Sequence, residues 1–195
     1  MKKDIIPVIK DSIEISVDCL LNDGLLKDIP LVNTIHSISD ICNTISDKLL
    51  FTKINKFLFE LDIIPMVERI KLFEKLEQEP KLRQKISIYL LELFDKIDDE
   101  NKAKMIFKVF QAYNDEIIDY EMFYRLNKVI KDISSIDISK VRNIKNEFNS
   151  KSSEKDLLNS FENINLIRVE SNMDGNIYHR TEICKVFIQL NLDEI

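Results

Sequence analysis

Two histidines and three cysteines are the residues of this chain best suited to nucleophilic or acid–base chemistry, and their spacing assembles none. His36 and Cys42 are six residues apart, which on a helix is a turn of about 600° and puts them roughly on opposite sides. His179 has no cysteine or serine elbow beside it, since no Gly-x-Ser-x-Gly occurs. Metal-ligand spacings are also missing: there is no Cys-x-x-Cys, no His-x-x-x-His and no Glu-x-x-His. Phosphate loops need glycines so that backbone N–H groups can approach the oxygens, and Gly24 and Gly175 are the only two in the chain. One acidic loop, Asn114–Glu121, joins two helical segments as a calcium loop would. It lacks the central glycine and has Ile117 and Ile118 in its middle, so it reads as a capped turn. The carboxylates Glu74, Glu77 and Glu79, and Asp98, Asp99 and Glu100, read as solvated helix ends. The expectation is a non-enzymatic protein with no catalytic, cofactor or metal site.

The elements that carry these residues are mostly helices. Four prolines and two glycines in 195 residues leave little of the punctuation an all-β chain uses, while 45% hydrophobic residues suffice for a packed core. Val8–Leu21 sets Ile9, Ile13, Val17 and Leu20 on one stripe. Leu31, Ile35, Ile38, Cys42, Ile45 and Leu49 then alternate spacings of four and three, a heptad seam. Such a seam packs within its own chain or makes a homodimer, and Leu31, Ile35, Ile38 and Ile45 are the candidate oligomerisation residues. Helical spacing continues through Ile54, Phe57, Leu58 and Leu61, and helices are expected at 65–78, 81–97, 100–113 and 119–133, with Asp119 an N-cap. A further helix, 138–148, places Ile138, Val141, Ile144 and Phe148 on one side, and Asn149–Ser153, within the polar tract Asn146–Lys155, reads as a hinge.

After the hinge, the helix-like Ser153–Ile164 runs into Leu166–Glu170, an Asp174-Gly175 turn, and Ile177–Arg180, with Thr181 as N-cap of a closing helix. Helix, hairpin and helix in that order read as a winged-helix-like module. The expected fold is therefore mainly α: a helical bundle over 1–148 and a winged-helix-like module over 149–195 containing one β-hairpin. The bundle comprises an amphipathic hairpin over 1–50, a core over 51–135 and a connecting helix over 136–148.

Charge narrows the partners. The net charge is −6, and residues 1–50, 51–135 and 136–195 carry 5, 15 and 8 basic against 8, 16 and 10 acidic residues, so no segment is basic. A DNA reader gains affinity by neutralising phosphates, which disfavours nucleic acid as the partner. The alternative, a winged-helix DNA-binding transcriptional regulator, requires Arg142, Lys145, Arg168 and Arg180 to gather on one face. The favoured partner is a protein, docked through Arg168, Tyr178, His179 and Arg180. The longest charge-free stretch, Ile29–Ser39, is far shorter than the roughly 20 residues of a membrane span, and the start is no secretory signal. Three scattered cysteines among apolar neighbours fit a reduced, cytoplasmic protein.

The segments Leu157–Ile167 and Ile177–Phe187 resemble the pattern of leucine-rich helix, Gly-Leu-Ile, hairpin and Tyr-x-Leu-Thr-x-Leu-Gly-x-x-Phe at the ends of many winged helices. In this they are similar to the bacterial Abi-alpha group, associated by name with abortive phage infection. Asn165, Arg180 and Cys184 stand where that pattern has Gly, Leu and Gly. Lys27–Val32 resembles the Ile-Pro-Ile-Val-Gly stretches of small bacterial proteins of similar helical make-up. The resemblance implies an interaction module in phage–host conflict, on the side of defence or of counter-defence.

Overall fold

The structure, a computed structural model, describes residues 45–149, 155–172 and 175–194, apart from residues 66, 69 and 72–77. The chain is mainly helical and divides into two compact units, residues 1–96 and 97–195. This places the division well before the polar tract at 149, for reasons the second unit makes plain.

In the first unit, helix α1 (Ile45–Ile63) packs on helix α2 (Pro80–Lys96), whose first residue is a proline, a position where a missing N–H costs no helical bond. Phe51, Ile54, Phe57, Leu58 and Leu61 recur at spacings of three or four and are buried on α1. Ile86, Leu90, Leu93 and Phe94 do the same on α2, and the rings of Phe57 and Phe94 meet edge to face at 5.3 Å. Ile45 opens α1, whereas Leu31, Ile35 and Ile38 lie outside the described residues, as does most of the helix expected at 65–78.

The second unit begins with helices α3 (Lys102–Asn114) and α4 (Tyr120–Asp132), the expected αα-hairpin. Asp119 caps α4 by accepting from the Met122 N–H at 2.7 Å. Lys102, 1% exposed at the start of α3, donates to the Ile133 carbonyl just past α4 and pairs with Asp98, each at 2.5 Å. Burial pulls the Asp98 carboxyl up, but the hydrogen bond and charge of Lys102, with help from its own backbone and Ser135, hold it below its ordinary range.

The helix expected over 138–148 is a six-residue 3₁₀ turn, Ile138–Asn143, followed by extended chain. Ile138, Val141 and Ile144 are spaced by three, and the 3₁₀ turn, with its three residues per turn, puts them on one side, where all are buried. The chain then forms strand β1 (Glu147–Asn149), helix α5 (Lys155–Asn163), strands β2 (Ile167–Asn172) and β3 (Gly175–Arg180), and helix α6 (Glu182–Gln189). The hairpin β2–β3 stands as expected, but β1 adds a third antiparallel strand, giving the order β1-β3-β2. Gly175 pairs with Asn172 and has φ +127°, so it closes the turn and starts β3.

Three helices among the described residues of this glycine-poor chain end without glycine. After α3, α5 and α6 the chain turns through Glu116, Asn165 and Asn191, at φ of 60°, 62° and 51°. Each turn carries the paired reverse hydrogen bonds of a Schellman cap: Ile117 N–H to Ala112, Leu166 to Phe161 and Leu192 to Phe187, at 2.9, 2.9 and 3.1 Å. Asparagine tolerates this left-handed backbone better than most residues, which is why Asn165 can stand where the resembled pattern has glycine.

Candidate functional site

Strand alternation sorts the four residues expected to meet a partner. Arg168 and His179 are register partners on β2 and β3, so they share a sheet face with Glu170. Arg168 is exposed, and His179 Nε2 lies 3.4 Å from the Glu170 carboxylate, an ion pair whenever the imidazole is protonated. Tyr178 and Arg180 point to the opposite face. Tyr178 is 4% exposed and belongs to the core, a correction to its expected place on a docking surface. Arg180 is half-buried: its backbone N–H donates to Asn146, its guanidinium donates to the Arg142 carbonyl at 3.1 Å, and its Nε is buried without a hydrogen-bond partner among the described residues.

Arg142 is engaged as well. It forms a forked pair with the buried Asp193, through Nε to one oxygen and at 3.0 Å to the other, and reaches Asn191 at 3.1 Å and Glu194 at 2.8 Å. Lys108 on α3 donates to the Asn191 carbonyl at 2.7 Å. The turn after α6 is thereby held by cations from α3 and the 3₁₀ turn. The Arg142 hydrogen bond, against the opposing effect of burial and with support from the backbone and the charges of Arg142 and Lys108, keeps the Asp193 carboxyl below its ordinary range. These contacts, with the packing of α4 on α6, bind the hairpin module into one unit with α3 and α4.

Thr181 joins three elements at one point. Its side-chain oxygen accepts from the Cys184 N–H at 3.2 Å, capping α6, while its hydroxyl faces the carbonyls of Asn165 at 2.7 Å and Leu166 at 3.0 Å. Its own N–H donates to Leu166 at 3.1 Å. The N-cap was legible in the sequence; the tie to the α5–β2 turn was not.

Beside this junction lies a groove of about 650 Å³, walled by α4, the Ile164-Asn165 turn and the start of α6. Val129 and Ile183, nearly buried, line it together with the half-buried Met122 and Ile164. Most of its rim charges are matched along their own helices, Arg125 with Glu121, Asp132 with Lys131 and Glu182 with Lys185, the last two at 3.1 Å, and Lys128 adds a further positive charge. No sequence motif marked this groove, because its lining comes from three separate segments, 121–132, 164–165 and 181–183. Nothing in it resembles an activated nucleophile. Cys184 is fully buried behind it, and burial pushes its thiol up to about 11. Among the described residues no three His, Cys, Asp or Glu side chains gather as a metal site would require, and no helix is long and apolar enough to cross a membrane.

Comparison with protein-family models, with curated proteins and with solved structures finds no match to this chain.

Proposed function

We propose that this chain is a non-enzymatic, cytoplasmic interaction protein whose C-terminal, winged-helix-like segment docks a protein partner. The observation that carries the reading is the α4–α6 groove: an apolar floor with a rim of mostly locally paired charges, Lys128 apart, suits a protein side chain or helix better than a phosphate backbone. The sheet order β1-β3-β2 and the succession α5, hairpin, α6 support the winged-helix-like description. Arg142 and Arg180 are engaged within the unit, which removes half of the basic set a DNA-binding regulator would need. The Abi-alpha-like pattern adds the setting, phage–host conflict.

The test is site-specific photo-crosslinking in cells that encode the protein. A crosslinker at Arg125, on the groove rim, should capture one defined protein, and a crosslinker at the exposed Lys140, outside the groove, should not. Equal capture from both positions would refute groove docking.

A further inference from the structure

The outer side of α1 has no assigned task and an unusual composition. Opposite the core row of Ile54, Leu58 and Leu61, it carries Leu49, Phe59 and Ile63 at 55%, 56% and 63% exposure. A helix apolar on both sides is a buried helix, and among the described residues only one side of α1 is buried. The outer positions 45, 49, 52, 56, 59 and 63 keep the alternation of four and three that begins at Leu31 in the sequence, so the exposed row is the continuation of the heptad seam. Thr52 interrupts it mildly, since its hydroxyl is satisfied by the Lys48 carbonyl at 2.9 Å. Lys56 is the single charge in the row.

We propose that this face is a self-association surface, occupied by α1 of a second copy of the chain running antiparallel. A 4-3 apolar row is covered best by another of the same period. Among the described residues no other helix offers one: the large exposed apolar residues elsewhere are the single positions Ile88, Ile117, Tyr124 and Ile136, besides Val67 just beyond α1. Charge selects the direction. A parallel, in-register pair stacks Lys56 on its copy and sets Lys48 beside the copy's Lys53. An antiparallel pair centred at the level of Ile54 sets Leu49 against the copy's Phe59, Lys56 against the copy's Thr52, Lys53 against the copy's Asn55 and Lys48 against the copy's Glu60, so no lysine stands directly opposite a lysine. A lone lysine within a seam is a known device for fixing such a register.

The experiment is sedimentation equilibrium on the full chain, with thermal melts as a control for folding. The wild type should dimerise with a dissociation constant at or below about 10 µM. Leu49→Glu and Phe59→Lys, each at an exposed position, should weaken the dimer by about 100-fold and leave the melting of a dilute, monomeric sample unchanged. The double variant should regain at least about tenfold of that loss, because antiparallel pairing sets the introduced carboxylate of one copy against the introduced ammonium of the other, whereas parallel pairing stacks like on like. A monomeric wild type overturns the proposal. If the single variants of such a monomer also melt lower, the face is covered by the chain's own residues; if not, it faces solvent or a different partner. A dimer indifferent to both substitutions, or a double variant no better than the singles, overturns it equally.

Discussion

Replacing Thr181 with alanine removes one hydroxyl and touches three elements, so it measures how far the α5–β2 turn, the hairpin and α6 act as one structure. Loss of the cap on the Cys184 N–H should cost about 1 kcal/mol. Loss of the hydroxyl's bond toward Asn165 and Leu166 adds about 1 kcal/mol, and no more, because the Leu166 carbonyl keeps the bond from the Thr181 backbone N–H. The expected total is about 2 kcal/mol, which at a urea slope of roughly 1–3 kcal/mol/M lowers the unfolding midpoint by about 1 M. Circular dichroism across a urea titration reads this directly, and tyrosine fluorescence, with Tyr178 in the hairpin core, reports on the same unit. Thr181→Ser keeps both roles and should stay within about 0.5 kcal/mol of the wild type. A Thr181→Ala variant that unfolds with the wild type, or a serine variant as weak as the alanine one, would refute the claim that this hydroxyl joins the segments.

Asn127 is fully buried and neither amide atom has a hydrogen-bond partner among the described residues, so Asn127→Leu should raise stability by about 1–3 kcal/mol in chemical denaturation; a loss would reveal a partner, such as an internal water. Asn165→Ala forces a side chain with no polar compensation into the left-handed region and should cost about 1–2 kcal/mol, whereas Asn165→Gly should be close to neutral by the same measurement. Asp98 and Asp193 sit below their ordinary range in the folded protein, so they stabilise it above the unfolded carboxylate value of about 4, and that contribution is lost as pH falls through their folded values. Urea midpoints measured below about pH 4 should therefore drop, and Asp193→Asn should flatten the decline. Residues 97–195 alone should fold, giving a cooperative melt, while a chain ending at residue 151 should lose the fold of α3 and α4, because α6 and the turn it leads to are packed and bonded against them.

The helices were readable because their apolar residues repeat at three and four, and so were the two caps, Asp119 and Thr181, whose side chains act within one turn of their own position. The hairpin was readable from its extended apolar runs and Gly175. β1 was not: it is three residues with one apolar member, it lies in a polar tract, and only its ladder with β3 makes it a strand. That ladder also explains why the helix expected at 138–148 stops at Asn143. The division of the chain was misplaced for a related reason. A polar tract suggests a hinge when read locally, but Arg142 with Asp193 and Lys108 with Asn191 join residues 51 and 83 positions apart, and sequence spacing carries no record of them. Of the candidate site, Arg168 and His179 do share a face, while Tyr178 sits in the core because strand alternation turned it inward. The groove is assembled by tertiary packing alone and had no local signature.

The central claim is that the C-terminal unit docks a protein through the α4–α6 groove, and quantitative affinity capture from cells that encode the chain tests it most directly. Wild-type bait should retain one protein in near-stoichiometric amount, and Met122→Glu, which places a charge over the apolar floor without entering the core, should lose it with its melting temperature unchanged. Duplex DNA added to the same protein at physiological salt should bind no tighter than non-specific association, roughly 10⁻⁴–10⁻⁶ M. Retention of the same protein by Met122→Glu, or nanomolar, sequence-selective duplex binding weakened by Arg168→Ala, would contradict the account.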